Sequence, residues 1–238
     1  MTKHIPNLLT LLNLASGTIG IYMILSGEYS LALIFFALSI GMDFADGFAA
    51  RLLQAGSEIG KQLDSMADLV SFGLFSMAMV FSVFQLIIPG SEGSWFSDLS
   101  FLQKIKIISL LIIPLLSALR LARFNLQEQS DYFVGLPVPA FALFWAGIYY
   151  DMHVNQSFFG QDLNPWFLWA IVMVMSLMMV VPLPMLSLKF TSLSFRKNFA
   201  SYILLIAALI ILAFTGIAGL PLVILTYILL SLLRIVLT

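Results

Sequence analysis

Apolar residues in this chain come in runs of about twenty, the length a helix needs to cross the hydrocarbon core of a bilayer. Eight such runs can be read, at about Asn7–Leu25, Tyr29–Leu53, Gly60–Ile88, Lys104–Phe124, Phe133–Asp151, Pro165–Leu183, Phe199–Thr215 and Leu220–Leu237. The pattern predicts an all-α polytopic membrane protein with about eight transmembrane helices, in a single integral membrane domain. The fifth run is the least regular, because Pro137 and Pro139 stand near its start. Proline is tolerated in a first helical turn, so that helix is expected to begin there. An opening of Lys3 and His4 before an apolar run has the look of a signal peptide. Asn13 interrupts the run, however, and further spans follow, so a retained first helix is expected.

Composition agrees with the pattern. Of 238 residues, 61% are hydrophobic and 10% charged, against about 25% charged in a soluble domain. The mean hydropathy is +1.04. Cysteine is absent, which excludes disulfides and thiolate metal sites. A net charge of -1 gives no sign of a nucleic-acid partner.

The distribution of cations sets an orientation. Arg51, Lys61, Arg120, Arg123, Lys189, Arg196 and Lys197 fall in connections on one side, together with Lys3 and Arg234 if there are eight spans. Only Lys104 and Lys106 fall on the other. The positive-inside rule then puts both termini in the cytoplasm.

Acidic residues in the second and third segments break the apolar pattern. Asp43, Asp46, Asp64 and Asp68 lie in or at the edge of helices that should be lipid-soluble. A charge at mid-bilayer is disfavoured by about 2.5–3.5 kcal/mol on insertion scales, so four of them need partners or water. Asp43, Asp46, Gly47, Ala50 and Arg51 share one helix face by spacing, and Gly60, Asp64 and Asp68 share another. The short connection between the segments predicts antiparallel neighbours whose acidic faces meet near the cytoplasmic surface.

Four like charges at short range require countercharge. An all-oxygen donor set suits Mg²⁺ or Mn²⁺. Gly47, Ala50 and Gly60 leave space for a bulky ligand, and Arg51 suits a phosphate. Carboxylates, divalent metal, space and arginine describe a phosphoryl-transfer site. A cation transporter would also bury carboxylates, and small residues can be mere helix contacts. Spacing alone leaves these readings open.

The complete pattern is more specific. Asp43-Phe-Ala-Asp46-Gly47-Phe-Ala-Ala50-Arg51, eight residues, then Gly60-Lys-Gln-Leu-Asp64-Ser-Met-Ala-Asp68 resembles the signature DxxDGxxARx8GxxxDxxxD of the CDP-alcohol phosphotransferase family, with no departure at a fixed position. Pro6-Asn7-Leu-Leu-Thr10-Leu-Leu-Asn13 is similar to that family's first-helix opening. Arg120-Leu-Ala-Arg123-Phe-Asn125 and Phe133-Val-Gly135-Leu-Pro137-Val-Pro139-Ala140 resemble motifs of its phosphatidylserine synthase branch.

The resemblance implies a six-helix core, here about residues 1–185, with additional C-terminal helices at about 199–238. It implies a CDP-diacylglycerol donor, an alcohol acceptor (L-serine in this branch) and release of CMP. Two metal ions, Mg²⁺ or Mn²⁺, would be held by Asp43, Asp46, Asp64 and Asp68, with Asp68 also the general base. Gly47, Ala50 and Arg51 would contact the CDP part. Gly60 would leave room for it, and Thr10 and Asn13 would reach the nucleotide. Arg120, Arg123 and Asn125 would bind serine or a phosphate, the fit of an arginine to a carboxylate being bidentate. Glycerol 3-phosphate or inositol remains an alternative acceptor. A homodimer in a bacterial inner membrane, with its site on the cytoplasmic side, is also expected.

Other polar residues read blandly. His4 and His153 lie on opposite sides and form no metal pair. Trp95, Trp145, Trp166 and Trp169 read as interface or packing aromatics, and Met173–Met179 as packing. Lys104 and Lys106 are expected to snorkel to the outer interface.

Overall fold

A computed structural model describes residues 4–88, 99–126, 133–156, 163–186 and 198–237. Lys3, Lys189, Arg196, Lys197, Trp95 and the side chain of Arg234 lie outside the described residues. The order is α1 (Ile5–Leu25), α2 (Tyr29–Leu52), α3 (Glu58–Asp68), a π-helical turn (Leu69–Leu74), α4 (Phe75–Ile87), α5 (Phe101–Ser109) and α6 (Ile112–Leu126). Then come β1 (Phe133–Val134), α7 (Val138–Tyr150), a second π-helical turn (Asp151–Asn155), α8 (Pro165–Met178) and β2 (Pro184–Met185). α9 (Phe199–Thr215) and α10 (Leu220–Leu237) close the chain, joined by a 3₁₀ turn at Gly216–Gly219.

Five helical stretches are long and apolar enough to cross a membrane: Ile5–Leu25, Tyr29–Leu52, Glu58–Ile87, Phe101–Leu126 and Phe199–Leu233. The protein is an all-α, polytopic integral membrane protein. The last stretch bends at Gly216, whose φ of 59° divides it into the two helices expected from sequence. α7 and α8 are shorter than a span on their own.

Two departures from the expected segments have local causes. The fourth segment is two helices, not one. Pro114 has no N–H to offer the carbonyl of Leu110, which accepts instead from Ile113 N at 3.0 Å. The third segment contains the π-helical turn directly after Asp68. Its extra residue per turn re-aims the following side chains, and the apolar pattern carries no trace of it.

Membrane helices bury small and polar residues and present large apolar ones to lipid. α1 does so at heptad-like spacing: Pro6, Thr10, Asn13, Gly17, Gly20 and Ile24 face inward, whereas Leu8, Leu12, Ile19 and Tyr22 are exposed. α2 follows with Ala32, Phe36, Ser39 and Asp46 inward. α1 packs along both α2 and α3. The aromatic core lies behind this layer, where Phe72, Phe75, Phe84, Phe141, Trp145 and Tyr149 are fully buried between the π-helical turn, α4 and α7. α10 also packs against α7.

At the helix ends remote from the acidic residues, polar side chains pair with aromatics, and Lys106, expected to snorkel outward, is buried. Lys106 ends 3.5 Å from the ring centroid of Trp166, and Trp169 Nε1 donates to Ser109 Oγ at 2.8 Å. The ring of His153 stacks on Tyr29 at 3.9 Å, and its Nε2 lies 2.8 Å from Ser82 Oγ.

Gly17 is where α1 meets the π-helical turn most closely. A Cβ there would lie 2.8 Å from Ser71 Cα and 2.6 Å from Ser71 Oγ. Gly17→Val should therefore destabilise the fold by about 1–3 kcal/mol, seen as a lower melting temperature in detergent. An unchanged melting temperature would show that α1 can move away freely.

Candidate active site

Asp43, Asp64 and Asp68 converge. One carboxylate oxygen from each can be chosen so that all three lie within 4.8 Å of one another. Helix geometry accounts for this. Asp43 and Asp46 are one turn apart on α2, as are Asp64 and Asp68 on α3, and the chain reverses between them. Leu53 ends α2, Gln54 takes a positive φ of 48°, and Ala55 N bonds back to Ala50 O at 3.0 Å. Ser57 caps α3 by accepting from Gly60 N at 3.0 Å.

The expectation that α2 and α3 are direct neighbours needs correction. Their backbones touch little, and α1 packs against both. Across the gap the carboxylates of Asp43, Asp64 and Asp68 still meet.

An open cavity of about 260 Å³ adjoins the acids. Asp46, Gly47, Ala50, Gly60 and Asp64 line it, together with Pro6, Asn7, Thr10, Ser57 and Lys61 among others. Gly47 faces empty space, with nothing within 4 Å of where a Cβ would stand. At Gly60 a Cβ would come to 3.0 Å from both Asn7 Oδ1 and Ser57 Oγ, so glycine here keeps the cavity wall thin. Thr10 Oγ1 lies 2.6 Å from Asp46 Oδ2, tying α1 to the acidic face of α2.

The other expected residues divide. Asn13 is fully buried away from the cavity wall. Its backbone carbonyl accepts from Ser71 Oγ at 3.2 Å and Ser39 Oγ at 3.4 Å, and its side-chain amide has no partner. Asn7, two turns earlier, lines the cavity in its place. Arg51 is exposed at the end of α2 and is not in the wall. Arg120 is buried on α6, within electrostatic reach of Asp68, and its Nε has no hydrogen-bond partner. Arg123 is exposed and donates from Nη1 to Val180 O at 3.1 Å. Asn125 Nδ2 donates to Ser65 Oγ at 2.8 Å, and Asn125 O accepts from Lys61 Nζ at 2.8 Å, so this residue ties α6 to α3. Lys61 and Ser57 were missed as cavity residues. Their place beside Gly60 on the first turn of α3 was the available signal.

The sequence profile of the CDP-alcohol phosphatidyltransferase family matches residues 3–182. The chain belongs to that family. The CDP-diacylglycerol–serine O-phosphatidyltransferase of Bacillus subtilis is 32% identical over 138 residues, 58% of this chain and 70% of that one. The protein of the same name from Mycobacterium leprae is 26% identical over 220 residues, 88% and 67% of the two chains. The archaetidylserine synthase of Methanothermobacter thermautotrophicus is 30% identical over 153 residues, 61% and 57% of the two.

For a CDP-alcohol phosphatidyltransferase the acidic cluster is a fitting place for hard divalent cations. Its donors are all oxygen. The chosen oxygens of Asp43, Asp64 and Asp68 lie within 4.8 Å of one another, a closeness that ionised carboxylates hold only with countercharge between them. Asp68 Oδ1 is buried with no partner, an acceptor left open. Asp64→Asn should weaken Mn²⁺ binding at least about tenfold, measured by paramagnetic resonance of the free ion. Wild-type affinity in that variant would remove Asp64 from the ion site.

Proposed function

We propose that the protein transfers the phosphatidyl group of CDP-diacylglycerol to the hydroxyl of L-serine, giving phosphatidylserine and CMP. The observation that carries this reading is the convergence of Asp43, Asp64 and Asp68 beside an open cavity in a chain of this family. Serine as acceptor draws support from the relatives' names and from Arg120, a buried guanidinium near Asp68 suited to a carboxylate.

In this reading Asp43, Asp46, Asp64 and Asp68 hold two ions, Mg²⁺ or Mn²⁺. Bound there, they supply charge neutralisation for the pyrophosphate and the departing CMP. The chain's own residues do the rest. Gly47, Ala50 and Gly60 admit the cytidine headgroup, while Lys61 faces it with a positive charge. Thr10 fixes the orientation of Asp46. Asp68 accepts the proton of the serine hydroxyl, which is a poor nucleophile at neutral pH. The serine oxygen bonds to the phosphorus on the lipid side, the bond from that phosphorus to the bridging oxygen breaks, and CMP leaves with that oxygen.

The donor's acyl chains stay in lipid while its headgroup enters between α1, α2 and α3. The excess of cations on one side in the sequence supports an opening at the cytoplasmic leaflet, with both termini inside. A homodimer, carried over by resemblance to the family, and a bacterial inner membrane, suggested by the short, compact chain, complete the proposal.

Lys61 in the cavity wall favours one rival acceptor, glycerol 3-phosphate, whose phosphate it would attract. A carboxylate-lined transporter would need acids across the whole bilayer. Among the described residues the converging carboxylates lie at one end only.

Purified protein given CDP-diacylglycerol, Mn²⁺ and each alcohol in turn should release CMP with serine alone. Release only with glycerol 3-phosphate or inositol would move the acceptor. Cation flux in liposomes without any release would sink the enzyme reading. Asp68→Asn should lower turnover by about 10²–10⁴-fold with donor binding retained, and wild-type turnover would remove Asp68 as the base.

A further inference from the structure

Lys61 stands in the cavity wall three residues before Asp64, yet it makes no ion pair with that acid. Among the described residues its ammonium is held by one hydrogen bond, from Nζ to the backbone carbonyl of Asn125 at 2.8 Å. A carbonyl is a neutral partner and takes one of the three ammonium protons. The charge and two donors are left for an anion that enters the cavity.

The carbonyl is itself fixed. Asn125 Nδ2 donates to Ser65 Oγ at 2.8 Å, and Ser65 Oγ donates to Lys61 O at 3.3 Å. Lys61 and Ser65 are one turn apart on α3, so both can face the end of α6. Three hydrogen bonds thus close a ring: Lys61 to Asn125, Asn125 to Ser65, and Ser65 back to Lys61. The ring joins two helices that also pack against each other. Two residues before Asn125, Arg123 Nη1 donates to Val180 O at 3.1 Å, which ties the last turn of α6 to a further segment. Asn125, expected from sequence as an acceptor contact, therefore has its amide nitrogen and its carbonyl committed to α3.

A lysine ammonium rides on a flexible stem and is ordinarily a mobile charge. The ring orders it in advance, which removes part of the entropic cost of binding. Lysine serves phosphate as a point charge and needs no fork geometry, so a single tether is enough to set its place. The donor's pyrophosphate must enter beside carboxylates of its own sign, and a fixed cation in the same wall offsets that repulsion.

We propose that Asn125 is a positioning residue for the donor: through this ring it holds the Lys61 ammonium in the cavity wall, where the ammonium takes a phosphate of the donor's pyrophosphate. The inference deepens the proposed function and rests on its reading of the donor. It adds that the end of α6 sets donor affinity from outside the cavity.

The test is a double-mutant cycle on nucleotide binding. CDP would be titrated by calorimetry into detergent-purified protein with Mn²⁺, for wild type, Lys61→Met, Asn125→Ala, Ser65→Ala and the variant carrying both Lys61→Met and Asn125→Ala. Lys61→Met, which keeps the length and removes the charge, should raise the Kd for CDP about tenfold, and Asn125→Ala about threefold. Ser65→Ala should act in the same direction as Asn125→Ala. In the Lys61→Met background Asn125→Ala should add less than about 1.5-fold, because its effect runs through the ammonium. Mn²⁺ affinity within about twofold of wild type verifies that each variant is folded with its acids in place. Unchanged CDP affinity in Lys61→Met, an equal loss from Asn125→Ala in both backgrounds, or a parallel loss of Mn²⁺ would overturn the proposal. No CDP binding by wild type would sink the donor reading and this inference together, whereas normal wild-type binding with unaltered variants would sink the inference alone.

Discussion

Four carboxylates placed in helices that must dissolve in lipid are the constraint from which the rest of this structure follows. Each is disfavoured in hydrocarbon by several kcal/mol if left alone, and neighbouring carboxylates repel one another besides. The fold meets this with position and spacing. The acids sit within a few turns of the α2–α3 reversal, where water is near. Their helices stand apart, so only side chains meet. α1 fills the seam with an inward face of small and polar residues. Thr10 binds Asp46 directly, and the backbone carbonyl of Asn13 takes the hydroxyls of Ser39 and Ser71. The aromatic core behind this layer, between the π-helical turn, α4 and α7, carries none of these acids.

Much of the site was legible because helical spacing converts directly into shared faces. Asp43 and Asp46, or Asp64 and Asp68, can only lie one turn apart on a helix. A short reversal can only bring the pairs to the same end. The helix edges at Leu25, Tyr29, Phe199 and Thr215 were equally plain, since apolar runs stop there at glycine or polar residues. Helix separation was not legible. Periodicity says which way a side chain points but not how far the facing backbone lies, so α1 as the mediator between α2 and α3 emerges only from packing. The π-helical turn after Asp68 was hidden for a related reason, because one extra residue in a turn leaves an all-apolar stretch unchanged.

Polar residues near the site show the limits most sharply. Asn7 and Asn13 lie six residues apart on α1, and sequence favoured Asn13 as the ligand contact. The inward stripe carries Asn13 into the α1–α2 crossing, whereas Asn7 borders the cavity at the helix end. Arg120 and Arg123 are likewise three residues apart and looked equivalent. One more turn toward the interface exposes Arg123 and lets it bind a carbonyl. Arg120, buried, keeps an unpartnered donor near Asp68. Exposure decides between chemically identical residues, and exposure is a tertiary property.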